Sequence, residues 1–205
     1  MKMFQRITCL IVFFLFVMVL FTGCSHKIVV APNPPGQIAT EKSPLDIGLY
    51  ISESFNNYQV SENKSGDIWN YTNLGKASAT QFHLALSTAF HSVEIVDSKP
   101  PFQTGKDITV HAVVEPAIDK FSFDIPFTKF QIYPARIHYK IIVYDIDGNI
   151  IMEETVEGIG DTRGHPGFDF ADNPSSSASK AVEDGVKKAI EIILNSGTIQ
   201  NLKNK

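Results

Sequence analysis

The chain has 205 residues, 43% of them apolar, with 18 basic against 22 acidic side chains, six histidines and two cysteines. A formal charge of −4 argues against nucleic acid as a partner, because phosphate binding needs a basic surface. Two cysteines cannot form a disulfide framework.

Lys2 and Arg6 give a short basic start. Ile7 to Phe21 then runs without a charge, which fits the apolar core of an export signal. It falls short of the ~20 residues that a spanning helix needs. Phe21-Thr22-Gly23-Cys24 follows. Small residues before a cysteine let a peptidase reach the backbone, and the thiol can carry a thioether-linked diacylglycerol. The motif resembles the bacterial lipobox, Leu-Ala/Ser-Gly-Cys, with Phe21 in place of the Leu and Thr22 in place of the Ala or Ser. That resemblance makes Cys24 the lipidation candidate and residues 1–23 its signal peptide. An uncleaved anchor helix is the rival reading. Both place the remaining chain outside the cytoplasm. With cleavage, Cys9 leaves with the leader and Cys24 is acylated, so cysteine catalysis and cysteine-type zinc are excluded. Losing Lys2 and Arg6 takes the mature chain to −6.

Residues 24–44 read as a linker that lifts a domain off the membrane, because Ala31-Pro32-Asn33-Pro34-Pro35-Gly36 favours extended, semi-rigid chain. Ile28-Val29-Val30 could instead begin a strand. Residues 45–196 form a single domain of roughly 150 residues, enough for its own core. Ile47, Leu49 and Ile51 alternate with Gly48, Tyr50 and Ser52, giving a strand. Residues 56–73 are rich in Asn, Ser and Gly and read as a loop holding Trp69 and Tyr71. Leu74 to Phe90 carries a helical stripe with Asn73 as its N-cap. Val93–Val96 is a short strand.

Alternation continues through 108–114 and 117–128. Ala135–Asp145 is a long strand with Ile137, Tyr139, Ile141 and Val143 on one face and Arg136, His138 and Lys140 on the other. Asp147-Gly148 signals a hairpin, and Ile150–Gly158 is the return strand. Residues 160–174 look irregular. Ser176 to Leu194 is the last helix, capped by Ser176 or Ser177, with Gly197 as its C′ residue. Residues 197–205 form a polar tail. The expected fold is α+β, a mostly antiparallel sheet with two helices packed on one face in β-α-β-β-β-α order.

Few residues point to chemistry. Asp145-Ile146-Asp147-Gly148-Asn149 has its glycine in the wrong place for a calcium loop. The histidines show no metal-ligand spacing, so no metal or other cofactor is expected. Ser177-x-x-Lys180 matches a serine–lysine catalytic spacing, but its companion motifs are missing and helix capping explains it. Gly158-Ile159-Gly160 with Gly164 is a weak phosphate-loop pattern that opens no helix. No catalytic residue is assigned; a hydrolase using His165 with Asp161 or Asp169 ranks last. Phe121 and Phe123 belong to a core strand, while Phe127 and Phe130, flanked by Pro126 and Lys129, are candidates for exposed contact. With Arg136, His138 and Lys140 they form the candidate surface for a protein partner or a lipid.

The Phe21–Cys24 motif, the strand at 47–51, the helix 74–90 with 93–96, the hairpin 135–158 and the helix 178–194 together resemble small bacterial envelope lipoproteins of the YajG, LptE and CsgG/LpoB-like type. The resemblance implies a non-enzymatic accessory factor, anchored in a membrane and docking onto an envelope protein. A lipid- or lipopolysaccharide-binding module is the alternative. Ser25 after the cysteine resembles outer-membrane sorting towards the periplasm; an inner or Gram-positive membrane stays open.

Overall fold

The computed structural model describes residues 24–34, 36, 38–64, 66–102, 109–125, 132–163 and 172–202. In chain order they form β1 (Ser25–Val29), β2 (Ser43–Tyr50), α1 (Glu53–Asn56), β3 (Val60–Lys64), β4 (Asp67–Thr72) and α2 (Leu74–Ala89). Then come β5 (Phe90–Val96), β6 (Ala112–Phe123), β7 (Ile132–Tyr144), β8 (Ile150–Arg163), α3 (Asp172–Asn195) and α4 (Gly197–Asn201). The class is α+β, as expected.

The main sheet has the order β5-β2-β6-β7-β8. It is mixed, not mostly antiparallel: β2 runs parallel to both β5 and β6, and only β6–β7–β8 is an antiparallel meander. The cause lies in the connections. A helix crossing one face returns the chain in its original direction, so α2 between β2 and β5 sets those strands parallel.

A second sheet, β1-β4-β3, was not foreseen. Residues 56–73, expected as a loop, contain the β3–β4 hairpin, turning at Gly66 with φ +89°. Ser25–Val29, expected within the linker, pair in parallel with Ile68–Thr72. This sheet buries Ile28, Trp69 and Tyr71 in the common core.

One face of the main sheet carries that core. Ile47, Leu49, Val114, Ile137, Tyr139, Ile141 and Val143 are fully buried there beneath Phe82 and Leu86 of α2 and Val182, Val186 and Ile190 of α3. Both helices lie on this face. Along β6 the inward residues change from even to odd numbers. A register shift between Ile118 and Lys120 inserts Asp119, and this bulge turns Phe121 and Phe123 onto the same side as Ala112 and Val114. Pro116 is tolerated in this strand because β2 stops pairing at Val114, leaving β6 one neighbour.

Helix α3 begins at Asp172, earlier than its serines suggested. Its flanks hold extended chain on both sides. Ser175 Oγ donates to the carbonyl of Val29, Ser179 Oγ accepts from the N–H of Ala31 (3.3 Å), and Glu183 accepts from the Asn33 amide (2.9 Å). On the other flank Lys180 donates to the Asp161 carbonyl (3.0 Å), Asp184 accepts from the Ile159 N–H (2.8 Å), and Lys188 donates to the Glu157 carbonyl (3.1 Å). Each row steps by four helical residues against two extended ones. Those steps rise about 6.0 Å and about 6.6 Å, so successive partners stay aligned. One row straps residues 29–33 to the helix; the other closes part of the free edge of β8.

Three smaller expectations change. Asn73 sits at the start of α2 with φ +67° and makes no cap bond; its amide donates to the Val30 carbonyl at 2.8 Å. Asn tolerates that left-handed conformation. Ser177 is buried and bonded to Thr162 rather than capping. Gly197 opens α4 instead of ending the preceding helix.

Candidate functional site

Four polar regions could bear function. The first is the start of the small sheet. Cys24 is exposed, and its carbonyl accepts from the Ile68 N–H at 2.9 Å. Its N–H donates to Asp67 Oδ1 at 3.0 Å. The other Asp67 oxygen lies 3.3 Å from His26 Nε2, and the His26 ring stacks on Trp69 at 4.3 Å. Hydrogen bonds from both sides thus tie Cys24 into the sheet. Residues 24–29, expected within the linker, are held against β4 as part of the sheet.

The second region is the outer face of the main sheet. Arg136, His138 and Lys140 share it, as the alternation required. They do not form a free basic groove. Arg136 donates to Glu157 at 3.0 Å, His138 lies 3.6 Å from the same carboxylate, and Lys140 pairs with Glu153 at 2.8 Å. These pairs are exposed to solvent, which screens them, so each contributes little to stability. Ile132 and Ile159 are exposed beside them. Phe127 and Phe130 lie outside the described residues, as do His165 and Asp169. Phe121 and Phe123 are buried against Tyr71, with ring centroids 4.9 and 4.4 Å away.

The third region joins Asp46, His91, Ser92 and His111, a group the sequence did not reveal because it draws on β2, β5 and the residue just before β6. Asp46 Oδ1 accepts from Ser92 and lies 2.8 Å from His91 Nδ1. His111 Nδ1 accepts from the Asp46 backbone N–H at 3.0 Å. The Ser92 hydroxyl is thus engaged by a carboxylate and not by a histidine, so this is no serine–histidine relay. Hydrogen bonds from Ser92 and His91 hold the Asp46 carboxyl below the usual range, against the opposing effect of burial. A depressed pKa stabilises the fold above the unfolded value and loses that effect as pH falls through the folded one. Asp46→Asn is expected to lower stability in urea at pH 7, with the gap to the native chain closing below about pH 4.

The fourth lies at the far end of the outer face. Glu115 is nearly buried, accepts from Tyr144 Oη at 2.7 Å and pairs with Lys99 at 2.8 Å. Lys99 also sits over the rings of Tyr50 and Tyr144. This group fastens residues 97–102 over a small apolar cluster of Val96, Val110 and Val113. Its carboxylate and cation already satisfy each other.

The glycines of the weak phosphate pattern serve packing. Gly158 and Gly160 lie in β8 against the backbone of α3. Lys180 is drawn to the Asp161 carbonyl, and Ser177 to Thr162, so both residues of the serine–lysine spacing are used in joining α3 to β8. Among the described residues no three His, Cys, Asp or Glu side chains are placed to hold a metal ion. Among them, too, no helix is long and apolar enough to cross a membrane.

No family model matches the chain, and no curated protein does. Solved structures do. A Xanthomonas campestris protein of the DUF330 family aligns over 88% of this chain and 99% of its own, with 11% identity and a TM-score of 0.54. A minor lipoprotein from Acinetobacter baumannii aligns over 75% of this chain and 93% of its own, at 10% identity and a TM-score of 0.43. The PelC dodecamer from Paraburkholderia phytofirmans gives 82%, 95%, 9% and 0.42 in the same terms. The first of these likenesses establishes a shared fold; function does not follow from fold.

Proposed function

We propose that the chain is a lipid-anchored protein of the bacterial envelope, working by protein contact as a non-enzymatic accessory or assembly factor. The type is that of the small YajG, LptE and CsgG/LpoB-like lipoproteins. The observation that carries the reading is Cys24. It follows a basic start, an uncharged apolar run and Thr22-Gly23, and it is exposed at the head of the first strand. A diacylglycerol on its thiol supplies two chains, and two are what stable anchoring requires. Ser25 next to it fits outer-membrane placement, facing the periplasm. The surface offered to a protein partner is the outer sheet face with Arg136, His138 and Lys140, where charges of both signs stand beside exposed Ile132 and Ile159.

Fractionation tests the anchor. The native chain is expected in the membrane pellet and a Cys24→Ala chain in the soluble fraction, still folded because the lost side chain is exposed. Retention of Cys24→Ala in the membrane would sink the lipoprotein reading. Crosslinking in intact envelopes tests the accessory role. One discrete protein should be captured by the native chain and lost with Arg136→Glu plus Lys140→Glu. Failure of the native chain to capture any protein would overturn that role.

A further inference from the structure

We propose that the exposed face of the small β1-β4-β3 sheet is a membrane-contact face, lying on phospholipid headgroups beside the lipid carried by Cys24. The proposal rests on the lipoprotein reading above and gives that anchor an orientation.

The argument begins with the attachment point. Cys24 is bonded to β4 through its carbonyl to Ile68 and through its N–H to the Asp67 side chain. Cleavage followed by N-acylation leaves an N–H on Cys24, so the second bond survives processing. Ser25 is already the first residue of β1. The acyl chains therefore leave the protein at the border of this sheet, with no free chain to hold it away from the bilayer.

The face itself suits a lipid surface. Register and alternation place Lys27 and Val29 of β1, Ile68 and Asn70 of β4, and Ser61 and Asn63 of β3 on the side away from the core. Val29 is 52% exposed and Ile68 44%. None of these outward residues is acidic, although acids outnumber bases in the mature chain. The neighbouring acids are turned elsewhere: Asp67 holds Cys24 and His26, and Glu62 lies 3.5 Å from Lys64. Lys27 makes no ion pair among the described residues, which leaves its ammonium free for a phosphate. It lines an open groove of about 550 Å³ with Ser25, Ser61, Asn70 and Thr72. A cation beside exposed aliphatic side chains suits the boundary between headgroup phosphates and acyl chains. The contacts are few and would be weak in solution. Tethering at the border of the face gives them a high effective concentration, so weak contacts suffice to fix orientation.

The test uses the full chain, processed in a bacterium and reconstituted in vesicles of phosphatidylethanolamine and phosphatidylglycerol. The lipidated Cys24 has no free thiol, so a single introduced cysteine takes an environment-sensitive fluorophore cleanly. Labels are placed at Asn70→Cys, at Ser61→Cys and at Asp147→Cys. The last stands beyond the opposite end of β6, roughly 35 Å away along the strand. Binding to the vesicles is expected to blue-shift the labels at 70 and 61, and headgroup-nitroxide lipids to quench them, with neither effect on the label at 147. A flexible spacer of about ten Gly and Ser residues between Cys24 and Ser25, with a mean span of ~17 Å, should reduce that quenching. Labels at 70 and 61 as solvent-exposed as the one at 147, on protein whose mass shows the lipid, would overturn the contact face and leave the anchor standing. A mature chain without lipid on Cys24 would overturn the anchor and the contact face together.

Discussion

A Gly158→Ala chain is expected to melt about 10 °C below the native protein, a loss of about 3 kcal/mol. A Cβ at Gly158 would stand 2.1 Å from the carbonyl oxygen of Ala181, and one at Gly160 would stand 2.0 Å from that of Ser177. Both obstacles are backbone atoms of α3, so no rotamer change can relieve them. The helix must lift from β8, which would also draw Lys180, Asp184 and Lys188 away from the edge carbonyls and N–H that they satisfy. Gly160→Ala should therefore behave alike, and the double change should leave no cooperative transition. The control is Gly197→Ala. Nothing lies within 4 Å of a Cβ there, and the residue is helical. It should keep or slightly raise the melting temperature, since Ala outlasts Gly in a helix by about 1 kcal/mol. Thermal unfolding followed by circular dichroism separates these cases. Equal behaviour of Gly158→Ala and Gly197→Ala would mean that α3 does not sit on β8 as described.

These glycines also show where sequence reasoning stops. The stripes of α2 and α3 were legible because each repeats with helical period over four or more turns. The β7–β8 hairpin was legible from strict alternation and from Asp147-Gly148. Gly158 and Gly160 gave a loop signal instead, because a missing side chain looks the same whether it serves a turn or a close helix–strand contact. The β3–β4 hairpin was hidden for another reason. Its outward positions are Ser61, Asn63 and Asn70 with a single aliphatic, Ile68, so its composition is close to that of a loop, and only Trp69 and Tyr71, two apart, betray the buried face. The parallel pairing of β2 depends on where α2 crosses, which no local pattern records. At the candidate site, Cys24 and the Arg136-His138-Lys140 row were readable as motif and alternation. Their neutralisation by Glu157 and Glu153, and the tie from Cys24 to Asp67, are contacts between distant residues and became visible only in the fold.

Tyr139 provides the second large effect. Its side chain is fully buried between sheet and helices. The ring meets Phe82 edge-on at 5.2 Å and Phe55 at 6.4 Å, and Gly185 leaves room for its edge. Burial pushes its phenol far up, so it stays protonated and can donate. Its partner is Ser78 Oγ of α2, 2.7 Å away. Tyr139→Ala removes the ring and opens a cavity, at an expected cost of about 4 kcal/mol. The polar pair can be isolated from that packing loss. Ser78→Ala removes the hydrogen-bond partner of a buried phenol and should cost about 2 kcal/mol. Tyr139→Phe should cost less, about 1 kcal/mol, because the Ser78 hydroxyl can turn to a carbonyl one helical turn back. The double variant removes both polar atoms and leaves neither unsatisfied. It should therefore be more stable than Ser78→Ala alone, although it carries one more substitution. Urea unfolding of the four chains gives the coupling directly. A strictly additive cycle would mean that the bond between sheet and helix contributes nothing, and that the packing of the ring alone holds α2 against β7.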